Sequence, residues 1–244
     1  MKKLFIKICR LFGYEIIDQN NFVSPTLDKE LNEDLSIINK KSIILPLGQV
    51  NITKKVTSVL IILRMNTNIE IWDQNKRRLF EFPKIEYSKR SIISLIKSIK
   101  FCKKKYSDIK IKTIIIDDNS DKKNLSEIKN IIDGEQIEMI SLDCSKYESK
   151  IKNQKNNSTF ANLASLMQSF EIGKKIGEDL VFFVEDDYLH FEPMLEEMIV
   201  SFERISSQIG KDIFMCPSDY PYLYMNNEKT NVLIGNKRHW RTIN

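Results

Sequence analysis

The sequence lacks the two glycine-rich motifs that most often bind phosphate groups in nucleotide-binding proteins. Its seven glycines form neither G-x-G-x-x-G after a predicted strand nor G-x-x-x-x-G-K-[ST]. Those motifs place backbone N–H groups around a diphosphate, so their absence excludes a dinucleotide-binding loop and a P-loop. Any phosphate binding by this chain must use other groups.

The cysteines are few and scattered. Cys9, Cys102, Cys144 and Cys216 show no C-x-x-C spacing, which excludes the common structural zinc motifs and predicts a reducing, cytoplasmic compartment. No apolar run approaches the roughly 20 residues that cross a bilayer, so we expect no membrane-spanning helix. The 38 basic and 33 acidic residues give a net charge of only +5, too weak for a dedicated nucleic-acid binder.

Residues 1–17 differ in character from the rest of the chain, because no acidic residue occurs before Glu15. The apolar positions fall on one helical stripe, and they are Leu4, Phe5, Ile8, Leu11 and Phe12. The remaining positions are mostly basic, at Lys2, Lys3, Lys7 and Arg10. This pattern predicts a basic amphipathic helix that either contacts an anionic membrane surface at its inner, cytoplasmic face or packs on the flank of its own domain. Lysines interrupt the apolar stretch, so it is not a signal peptide.

The rest of the chain divides near residue 56. Residues 18–55 are polar and irregular and predict a linker or a wrapping arm. From Val56 onward, short β-rich runs alternate with helical periodicities, which predicts an α/β fold with a mostly parallel central sheet flanked by helices. The expected strands are 56–65, 111–116, 137–142, 180–184, 212–216 and 231–235. Helices are expected at 88–105 and about 125–132, from near 158 to Gly173 or Gly177, and after Pro193.

Three adjacent acids, Glu185, Asp186 and Asp187, follow the predicted strand at 180–184. Carboxylates crowded at a strand end repel one another, and a divalent cation would remove that repulsion. Mg²⁺ and Mn²⁺ prefer oxygen ligands, so the first and third acids are candidate ligands, directly or through water. An exposed acidic turn that caps the next helix is the alternative.

A second acidic turn, at residues 117–121, follows the strand at 111–116. Asp121 or Ser120 is expected to cap the next helix. Asp117 and Asp118 lie where ligands bind in open α/β sheets, beyond the carboxyl ends of the strands. Their carboxylates can accept hydrogen bonds from a nucleobase or a ribose.

Together the two turns resemble motifs of family-2-like glycosyltransferases. The matching segments are IIIDDNSD at 114–121 and FFVEDDYLHFEP at 182–193. In that family the first acidic turn contacts the nucleotide, and a later strand ends in a D-x-D metal motif. The resemblance covers about residues 56–244 and implies a Rossmann-like A-type glycosyltransferase (nucleotide-diphospho-sugar transferase) fold, with Mn²⁺ or Mg²⁺ as cofactor.

The resemblance also implies roles for single residues. Glu185 and Asp187 bracket the metal, while Asp186 contacts the ribose or a metal-bound water. Asp118 contacts the base or ribose, with Asp117 beside it. The remaining predicted donor contacts are Asn119, Asp121 and, at the end of the first strand, Arg64.

Two features depart from the family pattern. The metal triplet opens with Glu185 in place of the usual aspartate, and Leu63-Arg64-Met65-Asn66 stands where proline, any residue, an aromatic and asparagine are usual. The segments CPSDYPYLY at 216–224 and GNKRHWRT at 235–242 resemble a recurring pair in a less characterised bacterial branch.

An inverting sugar transfer needs a base for the acceptor hydroxyl proton. Asp219 is the predicted base, and a turn residue before Pro221 is its alternative role. His239 is predicted as a further metal ligand or, with its basic neighbours, as a diphosphate contact, against a purely structural role. Enzymes of the resembled family usually continue after such a segment with more acceptor-site structure, so the resemblance implies a truncated carboxyl terminus after Asn244.

The sequence thus predicts transfer of a sugar from a nucleoside diphosphate donor to a glycan or lipid-linked acceptor. The alternative is a non-catalytic protein, either a degenerate transferase domain or a membrane-surface adaptor. Such a protein would use residues 1–17 and the basic stretch 97–105. A nucleotidyltransferase is disfavoured, because residues 64–70 contain no glycine.

Overall fold

The computed structural model describes residues 2–12, 44–45, 50–68, 82–152, 157–218 and 232–241. The chain divides into two compact units, Lys55–Val200 and a second formed by Met1–Lys54 with Ser201–Asn244. The predicted boundary near residue 55 falls at this division. The division also separates Ser201–Asn244 from the rest of the predicted catalytic domain.

Five helices and seven strands lie in the described residues. The helices are α1 Lys2–Leu11, α2 Lys84–Lys105, α3 Lys122–Ile132, α4 Asn157–Ile176 and α5 Met194–Ile209. The strands are β1 Ile44–Leu45, β2 Ser58–Met65, β3 Lys110–Asp117, β4 Ile137–Ser141, β5 Leu180–Glu185, β6 Val232–Ile234 and β7 His239–Arg241. A short 3₁₀ turn covers Ser145–Tyr147.

The unit Lys55–Val200 contains a four-stranded, all-parallel sheet of order β4-β3-β2-β5. Strand β2 is buried along almost its whole length, as expected for a central parallel strand covered on both faces. Parallel crossovers are right-handed, so α4, which leads back across the sheet to β5, lies on the face opposite α2 and α3. The predicted α/β fold with a parallel sheet flanked by helices is confirmed.

The core of this unit is built on the aliphatic residues of the central strands. On one face Leu60, Ile62, Ile114 and Ile116 form a buried cluster, against which Ile172 of α4 packs. Helix α4 ends at Ile176, and Gly177 follows at a close approach: a Cβ there would lie 2.5 Å from the carbonyl oxygen of Gly173 and from Val181. A side chain at position 177 would clash with these atoms, so glycine is required where the helix ends.

The other unit contains a small sheet of order β1-β6-β7. Strand β6 pairs in parallel with β1 and antiparallel with β7. In the core of this unit, Ile205 of α5 lies beside Leu233 of β6. The strand predicted at 231–235 is thus confirmed within Val232–Ile234, but the strand predicted at 212–216 is wrong, because these residues join no sheet. None of the helices in the described ranges is long and apolar enough to cross a bilayer.

Candidate functional site

The ends of three neighbouring strands form one polar edge of the parallel sheet. Arg64 at the end of β2 is in register with Glu185 of β5, and Met65 is in register with Asp117 of β3. Chain order along the sheet reverses between β2 and β5, which is where open α/β sheets bind ligands. Neighbouring strands lie about 4.8 Å apart, so the acidic turns after β3 and β5 are separated by roughly 10 Å.

The acidic triplet after β5 points in two directions. Glu185 and Asp187 are exposed, whereas Asp186 is buried. Glu185 is the last residue of β5, and Asp186 and Asp187 lie in the turn that follows. Two carboxylates therefore face solvent at the sheet edge, and the third faces the interior.

Asp186 is held by groups from two other elements. Lys84 Nζ lies 2.7 Å from one carboxylate oxygen, and Ser88 Oγ donates to the other at 2.6 Å. The backbone N–H of Asn66 also donates to Asp186, at 3.3 Å. Burial raises the pKa of Asp186, against the lowering effect of Lys84 and Ser88. Asp186 thus ties the first turns of α2 and the end of β2 to β5, an internal role that sequence reasoning missed.

The exposed acids have cationic neighbours within the chain. The Arg64 guanidinium pairs with Glu185 and also donates to Asn162 Oδ1 at 2.8 Å. Lys84 Nζ lies 3.9 Å from Asp187 Oδ2. Repulsion among the three acids is therefore relieved by Arg64 and Lys84, whereas the sequence argument assigned that task to a metal ion.

The donor chemistry at this edge fits a hard divalent cation. Mg²⁺ typically takes one or two protein carboxylates and completes its shell with water and substrate phosphates. Glu185 and Asp187, each with a side chain about half exposed, supply that number of oxygen ligands. Among the described residues, no three histidine, cysteine or carboxylate side chains converge as a metal-binding group.

The turn after β3 has a buried acid at its base. Asp117 is only 5% exposed, and its Oδ2 accepts the backbone N–H of Ser120 at 3.2 Å. Its Oδ1 has no hydrogen-bond partner within the described residues. Burial raises the pKa of Asp117, and Asp118 and Asp186 raise it further. Asn119 follows with φ of +55°, a left-handed conformation that asparagine tolerates better than most residues.

The same turn is bonded to the end of β2. Asp118 accepts a hydrogen bond from Asn66 Nδ2 at 3.0 Å, and Ser120 Oγ accepts the N–H of Thr67 at 3.0 Å. Asp121 caps α3, since its Oδ1 accepts the N–H of Asn124 at 2.9 Å. Of the two predicted caps, Asp121 is thus the one used, while Ser120 joins the two strand ends.

The remaining predicted site residues lie elsewhere in the chain. His239 is exposed in β7, which belongs to the other unit. Asp219 lies outside the described residues. The predictions for these two residues stay predictions.

His190, which sequence reasoning did not select, lies in the loop between β5 and α5. Its backbone N–H donates to Ser94 Oγ at 3.0 Å, and its imidazole ring stands edge-on to the ring of Phe182. Its Nε2 is buried without a partner in the described part of the chain, and burial lowers the pKa of His190 to about 4. The backbone hydrogen bond of His190 therefore joins the loop after the acidic triplet to Ser94 of α2.

A scan against protein-family models finds no match for this chain, and a search of curated proteins finds none. Function is therefore inferred from the residues at the sheet edge. An open depression lined by the first half of β3, by the start of β4 and by the two residues before β4 includes none of these residues.

Proposed function

We propose that this protein is a metal-dependent glycosyltransferase of the A-type fold, similar to the family-2-like enzymes. It transfers a sugar from a nucleoside diphosphate donor to a glycan or lipid-linked acceptor, with inversion. One observation carries the proposal: two acidic turns flank β2 at the edge where the strand order reverses. Their separation of roughly two strand spacings suits a ligand with distinct nucleoside and diphosphate ends.

The turn after β3 is suited to the nucleoside end of the donor. Asp118 is oriented by Asn66 and retains lone pairs that can accept from ribose hydroxyls or a base N–H. Asp117 stands beside it with one oxygen unpaired within the described residues. Asn119 and Asp121 complete the set that we assign to this end.

The edge after β5 is suited to the diphosphate end. Glu185 and Asp187 would hold Mn²⁺ or Mg²⁺, which when bound supplies positive charge that stabilises the departing nucleoside diphosphate. Arg64 adds a guanidinium at the same edge, a group well matched to phosphate oxygens. Asp186 is a positioning residue here, because its contacts are with Lys84 and Ser88.

Inverting transfer requires a base on the acceptor side. In this proposal Asp219 accepts the proton of the acceptor hydroxyl while that oxygen bonds to the anomeric carbon. The bond from this carbon to the diphosphate oxygen breaks in the same step, and the nucleoside diphosphate leaves with the bonding electron pair.

A non-catalytic domain of the same ancestry is the second candidate. It is favoured by the pairing of the acids with cations of the chain itself, Arg64 with Glu185 and Lys84 with Asp186. In such a domain these ion pairs would be permanent, and of the two proposed metal ligands only Asp187 would remain outside them.

Thermal unfolding with a panel of nucleoside diphosphates tests the proposal. A ligand that binds only the folded chain raises Tm by mass action. We expect at least one nucleoside diphosphate to raise Tm when Mn²⁺ is present and to lose this effect when Mn²⁺ is chelated. If no member of the panel shifts Tm in Mn²⁺, the enzyme proposal is wrong.

A further inference from the structure

Helix α1 presents an apolar surface to solvent. Its exposed side chains are Leu4 at 65%, Phe5 at 61%, Ile8 at 44%, Leu11 at 85% and, just after the helix, Phe12 at 76%. At 3.6 residues per turn these positions span a stripe of about 120°. Within the part of the chain that the structure describes, side chains so exposed are not packed on the flank of their own domain, which was one of the two expectations for this segment.

Four of the six other positions of α1 carry positive charge, the exceptions being Ile6 and Cys9. Lys2, Lys3, Lys7 and Arg10 lie outside the apolar stripe, and the first fourteen residues contain no acid. An apolar stripe beside a basic face is the composition of helices that lie in the interface of an anionic bilayer. Basic residues near such a surface are attracted by its negative potential.

We propose that α1 binds the surface of an anionic lipid bilayer, with its apolar stripe at the headgroup boundary and its basic residues among the lipid phosphates. Charge complementarity favours lipid over a second copy of the chain, since two copies of α1 would bring like charges together. The ten residues of α1 extend about 15 Å, half the hydrocarbon thickness, so the helix lies along the surface. This proposal does not depend on the sugar-transfer activity.

Co-sedimentation of the full chain with vesicles tests the proposal. We expect binding to vesicles of phosphatidylcholine mixed with phosphatidylglycerol, weaker binding in high salt, and little binding to phosphatidylcholine alone. One variant replaces apolar residues, Leu4→Gln with Phe5→Gln and Leu11→Gln. A second reverses charge, Lys3→Glu with Lys7→Glu and Arg10→Glu. Each variant should lower the partition coefficient on the mixed vesicles at least about tenfold.

Matched controls remove the same kinds of side chain elsewhere. Leu189 and Phe214 are also strongly exposed, so Leu189→Gln with Phe214→Gln removes apolar surface outside α1. Lys97→Glu and Lys104→Glu, in the basic stretch of α2, are combined with Lys110→Glu at the start of β3, so that three exposed charges outside α1 are reversed. Both controls should bind the mixed vesicles as the unaltered chain does.

Three results would overturn the proposal. The first is no binding to the mixed vesicles, and the second is a loss of binding in the controls equal to that in the α1 variants. The third is self-association in the absence of lipid that the α1 variants abolish, which would identify a second copy of the chain as the partner. Nucleotide binding enters none of these measurements, so the two proposals fail separately.

Discussion

Replacing Arg64 by methionine should strengthen metal binding at the sheet edge. The substitution removes the guanidinium that pairs with Glu185 and keeps an unbranched apolar stem at a position that is 16% exposed. A divalent cation that binds Glu185 must displace this guanidinium or accept a positive charge beside it. Glu185 is about half exposed, so solvent screens both effects.

The size of the effect follows from the two contributions. An exposed ion pair is worth about 0.2 to 1 kcal/mol. Repulsion between a monovalent and a divalent charge about 4 Å apart is of the order of 2 kcal/mol in bulk water. Because the guanidinium can move away, we expect Arg64→Met to gain about 1 to 2 kcal/mol, a roughly five- to thirtyfold tighter Kd for Mn²⁺.

The change in Kd for Mn²⁺ is measured by titrating each protein with Mn²⁺ alone. Binding is detected by calorimetry or by the electron paramagnetic resonance signal of the free ion. Lys112→Met is the matched control, because Lys112 pairs with Glu138 across neighbouring parallel strands at 3.3 Å. It lies five residues before Asp117, about 17 Å from the sheet edge. Unchanged or weaker Mn²⁺ binding in Arg64→Met would refute competition at Glu185, and no binding to either protein would favour the non-catalytic candidate.

Three further predictions concern the elements around the site. Lys84→Met should lower the free energy of unfolding by about 3 kcal/mol, because it leaves the buried Asp186 carboxylate without its cation; wild-type stability in urea would contradict this. Burial lowers the pKa of His190 from 6.5 to about 4, so between these two pH values the unfolded chain binds more protons than the folded chain does. Stability should therefore fall, by at most about 3 kcal/mol, as the pH decreases between these values. Urea titrations at several pH values should show that His190→Leu removes this dependence and that the exposed His239→Leu does not; an unaltered slope in His190→Leu would disprove the assignment. Asp121→Ala should cost about 1 kcal/mol of unfolding free energy by loss of the α3 cap, while Asp121→Asn should retain most of it; equal losses in the two variants would show that the cap contributes little.

Hydrophobic periodicity was sufficient to predict the central sheet. Four predicted strands match β2 to β5 within a few residues, because buried parallel strands are long apolar runs bounded by turns. Helix α2 begins at Lys84, four residues before its predicted start. Its first turns carry Lys84 and Ser88, whose polar side chains are held by Asp186, and helical periodicity does not register such a tertiary contact.

The strand predicted at 212–216 shows the limit of local pattern. Exposure alternates there as in an extended strand, and Phe214 is fully exposed, but no neighbouring strand is hydrogen-bonded to it in the described residues. The β-propensity of a segment indicates how well its side chains fit the surface of a sheet. It does not indicate whether a neighbouring strand is present to pair with that segment.

The site shows the same limit. The sequence placed both acidic turns at strand ends, but the pairing of Arg64 with Glu185 depends on the register of β2 and β5. Residues 121 positions apart in the chain become neighbours only when the sheet forms. Likewise, Asp186 is buried between two exposed acids. Predicting this burial would require knowing which side of the strand end is covered by the rest of the domain.

Calorimetric titration of Asp187→Ala with a nucleoside diphosphate in Mn²⁺ tests the central claim most directly. The control is Glu138→Ala, since both side chains are 55% exposed and Glu138 lies in β4, outside the proposed metal site. The proposed donor site predicts that the unaltered chain and Glu138→Ala bind the nucleotide in an Mn²⁺-dependent manner and that Asp187→Ala loses at least about tenfold in affinity. Equal Mn²⁺-dependent binding by Asp187→Ala and the unaltered chain would contradict it.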